Sequence, residues 1–591
     1  MPASDAAKGI VWDLSDLYQS MQDPKLNEDL KTAKAKAANF EKKYKPTLSP
    51  LPELLKDLEE ITTLCTKPMA YALLLHAAQT DSQKVGAFYQ KVQLEMTEIR
   101  HHLRFLDLQW NALDDAVAAP LIRDPKNAFY KHYLETLRKY ANHLLTEPEE
   151  KILDIKANTG GRAFSRLFDE VVNNIPFYVQ KNGNQEKKTE GEVLALLYSS
   201  DREARKEGHQ SLTKGLVENQ RILTYIFNMI AQDHKSSNEL RDYTHPMQSR
   251  NMANEIEMPV VESLIQAVKL AYPLVERYYR LKKKLLQLDT LYDYDRYAPV
   301  LSDSSVTSWE DCRKIVSAGY HAFDPEFGKI VDLFFEKKWI DAEVRDGKRG
   351  GAFCCSTTPD LHPYVFTNYT GKQRDVMTVA HELGHGVHQY LARRAGIFES
   401  DAPLTLAETA SVFGEILIFD TLLKQCRDSK QKLGLLCGKI EDMFATVFRQ
   451  IVMTDFEHKL HEATVKEGEL STEKLSDLWI EANQPMHGGA VTLTKEYRAW
   501  WMYIPHFIHT PFYCYAYSFA QLLVLALYKK YQQNPKDFVP KFKEMLALGG
   551  SRKPEEICAL MGLDIEAPSF WRTGLEVIEE MVAQAEALAE K

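Results

Sequence analysis

The sequence predicts a mainly α-helical protein that carries one small patch of strand. Three observations lead there. Residues 51–65, 85–113 and 260–288 place apolar side chains at helical spacing, with charges between them. β-formers gather convincingly in one place only, at residues 352–355 after two glycines and again at residues 364–369. No repeat of fixed period is present, which argues against a solenoid.

At 591 residues the chain is too long for one hydrophobic core, so more than one lobe is expected. Breaks are expected at Asp124-Pro125, in the polar stretch 174–189 and in the glycine-rich stretch 346–351. Within the second of these, KNGNQEKK at residues 181–188 reads as an exposed loop or hairpin tip. We place a helical N-terminal region at residues 1–200, including a lobe at about 115–190, and a larger catalytic region at residues 201–591.

Hydrophobic residues make up 45% and charged residues 26%, ordinary for a globular chain. The net charge of −10 argues against a general nucleic-acid binder, which needs a basic face for phosphates. Eight cysteines are scattered without a CxxC pair and read as free thiols in a reducing compartment. The first residues lack a basic stretch followed by an apolar one, and the apolar run 522–527 is far too short to span a bilayer. The expectation is a cytoplasmic protein with no membrane partner.

The strongest chemical signal is His381-Glu382-Leu383-Gly384-His385 in a helical stretch from about Asp375, read as the N-cap, to Gly396, read as the residue after the C-cap. Histidines four apart project from one helix face and can bind one ion. Zinc suits two neutral imidazoles and a carboxylate with one position left open. Glu382 follows the first ligand and is placed to take a proton from water at the metal and return it to a leaving amine. Gly384 and Gly386 sit mid-helix, where glycine is costly, which points to something packing closely. Residues 404–415 offer Glu408 and Glu415 on one face among small and apolar neighbours. We assign Glu408 as third ligand and Glu415 as the group that orients a ligating histidine. His388 is the rival ligand. Far downstream, residues 500–517 hold His506, His509, Tyr503, Tyr513, Tyr515 and Tyr517, side chains able to donate to an oxyanion or simply to form an aromatic core.

These motifs resemble a known family. HELGHGVHQ with the preceding HPYVFTNYTGKQRDVMTVA, the following LAETASVFGE, the distant WWMYIPHFIHTPFYCYAYSFAQLLVLALY and the opening WDLSDLY are similar to the oligoendopeptidase F branch of the thimet oligopeptidase family. The resemblance covers most of the chain and is strongest from about residue 345 to 530. It implies a multi-helical two-lobed ellipsoid with a deep substrate cleft, a small β-sheet next to the zinc site and one zinc ion per chain. It implies zinc on His381, His385 and Glu408, and Glu382 as general base. His506 and Tyr513 match the family's His/Tyr pattern for substrate and oxyanion, with Tyr517 also in that pattern as a catalytic donor. Tyr515 and His509 are carried as substrate contacts. Gly350, Gly351, Ala352 and Phe353 match the glycine-led strand that pairs with substrate backbone.

The expected function is zinc-dependent endoproteolysis of short unstructured oligopeptides, with the oligomeric state, monomer or dimer, left open. One alternative is a carboxypeptidase or dipeptidyl carboxypeptidase of similar fold, for which Arg374 and Arg498 are the candidate cations. The other is a non-catalytic helical peptide-binding protein. Cys354 and Cys355 lie beside the expected substrate strand and read as buried apolar thiols.

Overall fold

The computed structural model describes residues 6–181, 184–301 and 306–590. Among the described residues the chain is mainly helical, with five short strands: β1 (Phe177–Lys181), β2 (Asn184–Lys188), β3 (Ile340–Asp341), β4 (Phe353–Cys355) and β5 (Tyr364–Phe366). It forms two compact units, each assembled from three separated stretches. Unit 1 is Met1–Asn142, Ser304–Leu422 and Lys530–Asp564; unit 2 is His143–Asp303, Leu423–Lys529 and Ile565–Lys591. Residue 200, the boundary expected from composition, falls inside the first stretch of unit 2.

Many helices start where a short polar side chain replaces the missing backbone partner. Asp23, Asp201, Ser308, Asp324 and Ser471 each accept from an N–H of the following turn. The long patterns read from sequence are subdivided. The 85–113 pattern is two helices, Gln83–Leu103 and Phe105–Asn111, and the 260–288 pattern breaks at Ala271, ahead of Pro273, into Met258–Leu270 and Tyr272–Leu285. Among the described residues, the stretch Met258–Leu285 has the length and apolarity to cross a membrane. Its two halves pack on helix Pro568–Ala589 of the same unit.

In unit 1, β3, β5 and β4 form a sheet in that order, with β3 parallel and β4 antiparallel to the central β5. Phe353 faces Phe366 and Cys355 faces Tyr364 across the β4–β5 pair. Trp12 of the opening motif packs edge-on against Tyr364 and tilted against Phe366, so the N-terminal segment seals this sheet. A second apolar group, Phe323, Phe327, Phe413, Phe538 and Phe542, stacks beneath helix Thr409–Gln425.

In unit 2, β1 and β2 form an antiparallel hairpin where residues 181–188 are expected as a hairpin tip or loop, and residues 184–188 are its second strand. Its tip, residues 182–183, lies outside the described residues. Phe177 and Val179 are buried while Tyr178 and Gln180 are exposed, the period-two pattern of a half-covered strand. The rest of this unit's interior mixes aliphatic side chains with large aromatic ones, among them Trp479, Trp500 and Trp501, each at most 2% exposed.

Candidate metal centre

Helix Gln373–Ala392 carries the two histidines. It begins two residues before the expected cap. Asp375 is the third helical residue, and its carboxylate accepts from Thr370 N–H, Thr370 Oγ1 and Lys372 N–H, tying the approach loop to the first turn. After a 3₁₀ turn, Arg393–Ala395, the chain leaves through Gly396 at φ +80°, a conformation that glycine adopts without strain. Next comes helix Leu404–Ala407, a break at Glu408 (φ −79°, ψ 0°), and helix Thr409–Gln425.

The two helices meet closely because glycines line the contact. A Cβ on Gly384 would stand 2.4 Å from the Ala410 carbonyl oxygen and 2.5 Å from Ser411 Cα. A Cβ on Gly386 would run into the Phe334 ring. Tyr320 donates its hydroxyl to the Ala380 carbonyl at 2.8 Å, pinning the motif helix one residue before His381.

His381, His385 and Glu408 converge, with one ligand atom from each lying within 4.8 Å of the others. Glu408 Oε2 stands 3.3 Å from His381 Nε2 and 3.4 Å from His385 Nε2. Tetrahedral zinc, with bonds of ~2.0–2.1 Å, sets neighbouring ligand atoms about 3.3 Å apart, so two of the three edges already have the right length. The donor set, two imidazoles and a carboxylate, is the one zinc takes. Ser411 Oγ donates to Glu408 Oε2 at 2.7 Å, and Glu415 Oε1 lies 2.6 Å from His381 Nδ1. That last contact fixes which ring nitrogen faces inward. Burial opposes charge on both partners, yet Glu408 and Glu415 hold the His381 imidazole well above its ordinary range, and His381 and His385 hold the Glu408 carboxyl well below its own. The pocket is built for a positive centre. Glu382 is 6% exposed, and burial raises its carboxyl. His388 is not part of the group: it bonds the Ala407 backbone, and burial pushes it down to about 4, so it serves as a neutral support of the segment that presents Glu408.

β4 is an outer strand of its sheet, so one side of its backbone is unpaired within that sheet. Gly350 and Gly351 are exposed and precede it, Gly351 at φ +83°, and Ala352 and Phe353 are half-buried. Cys354 donates its thiol to Gln389 Oε1 at 3.2 Å, and burial raises both cysteine thiols, Cys355 to about 12.

The downstream residues belong to unit 2. His506 stacks on Tyr513 at 6.4 Å and meets Tyr517 edge-on at 6.0 Å; Tyr513 and Tyr517 are themselves 4.9 Å apart. These three form one cluster. Tyr515 does not join it: it is 0% exposed, donates to Asn251 Oδ1 at 2.7 Å and accepts from Asn254 Nδ2 at 2.8 Å, so its hydroxyl is spent in the core. His509 is exposed and sits 2.8 Å from Asp169. Of the two arginines considered as terminal-carboxylate cations, Arg498 is paired with Asp477 at 2.6 Å and Arg374 is exposed at the start of the motif helix.

Residues 195–577 match the model of Peptidase family M3, and residues 109–177 match that of Oligopeptidase F. The chain belongs to peptidase family M3. Oligopeptidase PepF of Bacillus subtilis is 26% identical to this M3 chain over 98% of its length and 87% of the relative's. The oligoendopeptidase F homolog of Lactococcus lactis is also 26% identical, over 100% and 98%. A putative peptidase from Chlamydophila abortus has the same fold at a TM-score of 0.87 and 26% identity, covering 99% of both chains. Oligoendopeptidase-F from Enterococcus faecium follows the fold at a TM-score of 0.71 with 21% identity, covering 96% and 98%. The protein is thus a metallopeptidase of a zinc-dependent family.

Sequence reasoning missed several residues of this M3 peptidase. Ser411 and Tyr320 hold the metal centre's parts in place, and nothing in their local sequence marks them.

Proposed function

We propose that this M3 peptidase is a zinc-dependent endopeptidase that hydrolyses short, unstructured oligopeptides in the cytoplasm. The observation that carries the reading is the spacing of His381, His385 and Glu408, two near-tetrahedral edges meeting at one carboxylate oxygen, with the buried Glu382 adjoining. One zinc ion per chain held there would supply Lewis-acid polarisation of a carbonyl and water acidic enough to lose a proton near neutral pH.

The chain's own residues do the rest. Glu382 accepts the proton of the attacking water and passes it to the leaving amine. Glu415 keeps His381 in the tautomer that faces inward. His506, Tyr513 and Tyr517 are the side chains we assign to substrate and oxyanion contact, supported by their clustering. Residues 350–353 lead into the unpaired side of β4, where an extended peptide gains main-chain hydrogen bonds whatever its sequence. The cytoplasmic location is supported by eight cysteines that all remain thiols, and cell fractionation tests it.

A fluorogenic peptide blocked at both ends separates this reading from its rivals. We expect cleavage within the blocked chain, loss of cleavage on chelation and recovery with zinc. An enzyme that cuts only unblocked peptides would be an exopeptidase, and one that binds peptide without cutting would be a binding protein.

A further inference from the structure

Arg449 follows a π-helical turn, Phe444–Phe448, set between two α-helices. Such turns are costly and are found often at functional sites. The guanidinium is held from two sides: Nη1 donates to Tyr297 Oη and Nη2 to Tyr503 Oη, each at 3.2 Å. Its Nε is buried without a hydrogen-bond partner among the described residues. No carboxylate forms an ion pair with it among those residues.

A second guanidinium lies in the same cluster. Arg296 is 3% exposed, stacks over Tyr297 and Tyr497, and donates to the Asp293 carbonyl at 3.0 Å. It too has no ion pair among the described residues. Lys282, the nearby ammonium, has its own partner in Glu441 at 2.6 Å. Buried cations without a counter-charge are expensive, and proteins ordinarily pair them. The carboxylates that act on this cluster, Asp293 and Glu441, are engaged by His209 and Lys282, each at 2.6 Å, so the two guanidiniums lack a counter-charge of their own. Tyr297 reports the imbalance. Burial raises its phenol, but Arg449, Arg296 and Lys282 together pull it below its ordinary range.

Arg449, Tyr297, Tyr503 and His506 are each half-buried by surface exposure. The charge of Arg449 is felt at His506, whose imidazole is lowered by burial and then by Arg449. The donor pattern also fits an anion. Both phenolic oxygens accept from the guanidinium, which leaves each hydroxyl proton free to be donated outward. A carboxylate beside them would meet two O–H donors and a positive charge, the combination that binds it most strongly.

We propose that Arg449, held between Tyr297 and Tyr503, binds a carboxylate of the peptide substrate, and specifically the one at its C-terminus. The inference rests on the peptidase reading above and on the assignment of His506 to substrate contact. It adds a specificity: the enzyme favours peptides that end in a free carboxylate, while still cutting within the chain. An aspartate or glutamate side chain offers the same chemistry, so the test must tell the two apart.

The test uses the zinc-loaded full chain and three fluorogenic peptides of one sequence: a free acid, its C-terminal amide, and an amide ending in Glu. For the wild-type enzyme we expect kcat/KM for the free acid to exceed that for the plain amide by roughly tenfold, carried mainly by KM. The amide ending in Glu should behave like the plain amide. In Arg449→Gln the acid-to-amide ratio should collapse toward one, and in Arg449→Lys, which keeps the charge but loses the planar fork, it should fall between. A wild-type ratio near one overturns the proposal, as does a tenfold ratio that survives in Arg449→Gln. If Arg449→Gln does not fold, a wild-type ratio in Arg449→Lys overturns it instead. An amide ending in Glu that matches the free acid reassigns the site to acidic side chains and overturns the terminal-carboxylate claim. Failure of the wild-type enzyme to cut any of the three overturns the peptidase reading, and this inference with it.

Discussion

Glu457 is 1% exposed in unit 2. One carboxylate oxygen accepts from Phe512 N–H at 2.8 Å, and the other has no partner among the described residues. Phe512 sits at φ +58°, a conformation unfavourable for a bulky side chain, one residue before Tyr513. The buried carboxyl thus holds a strained turn in the segment that presents the His506–Tyr513–Tyr517 cluster. Burial pushes Glu457 up to about 8, against the lowering effect of Phe512 N–H and Arg250. The folded protein keeps this proton to a higher pH than the unfolded chain, which releases it in the ordinary carboxyl range. The stabilisation is complete below that range and is lost as pH rises toward about 8. Thermal melts should show the wild-type midpoint falling more steeply than that of Glu457→Gln from about pH 5 to about pH 8, by several degrees across the range. Parallel slopes would mean that Glu457 is already ionised in the folded state.

At the scale of elements, the metal centre depends on how closely helix Gln373–Ala392 approaches helix Thr409–Gln425. Gly384 sets that distance, because backbone atoms of Ala410 and Ser411 occupy the space a Cβ would need. Alanine normally stabilises a helix interior by about 1 kcal/mol relative to glycine. Here the sign should reverse: Gly384→Ala should lower the melting temperature by several degrees and weaken zinc binding at least tenfold, as Glu408 is pushed off His381 and His385. A variant that melts higher and binds zinc normally would refute this role for the contact. The motif helix and both glutamates were legible in the sequence because chemistry restricts which residues can stand at HExxH and among apolar neighbours. The chain break at Glu408 was not legible, since Leu404 to Glu415 reads as one unbroken helical pattern. The β1–β2 hairpin was legible only as a hairpin tip or loop: Phe177 and Val179 alternate inward, but the second strand, NQEKK, is wholly polar and resembles loop.

For the whole molecule, the mainly helical class and the small sheet followed from periodicity and from where β-formers gather. The assembly of each unit from three separated stretches left no such trace, because composition marks linkers and not which distant stretches pack together. The same limit hid Arg449, whose partners Tyr297 and Tyr503 lie 152 and 54 residues away. It hid the fate of Tyr515 too, since Tyr515 opens helix Tyr515–Gln533 and bonds Asn251 and Asn254 while Tyr513 lies before the helix. The catalysis proposed for this M3 peptidase rests on one centre of two imidazoles and a carboxylate. The most direct test is zinc content measured alongside turnover of a doubly blocked peptide in two variants. Glu408→Ala should lose both the metal and the activity, whereas Glu382→Gln should retain about one zinc per chain and lose at least a thousandfold in kcat. Full zinc and wild-type turnover in Glu408→Ala, or wild-type turnover in Glu382→Gln, would contradict the account.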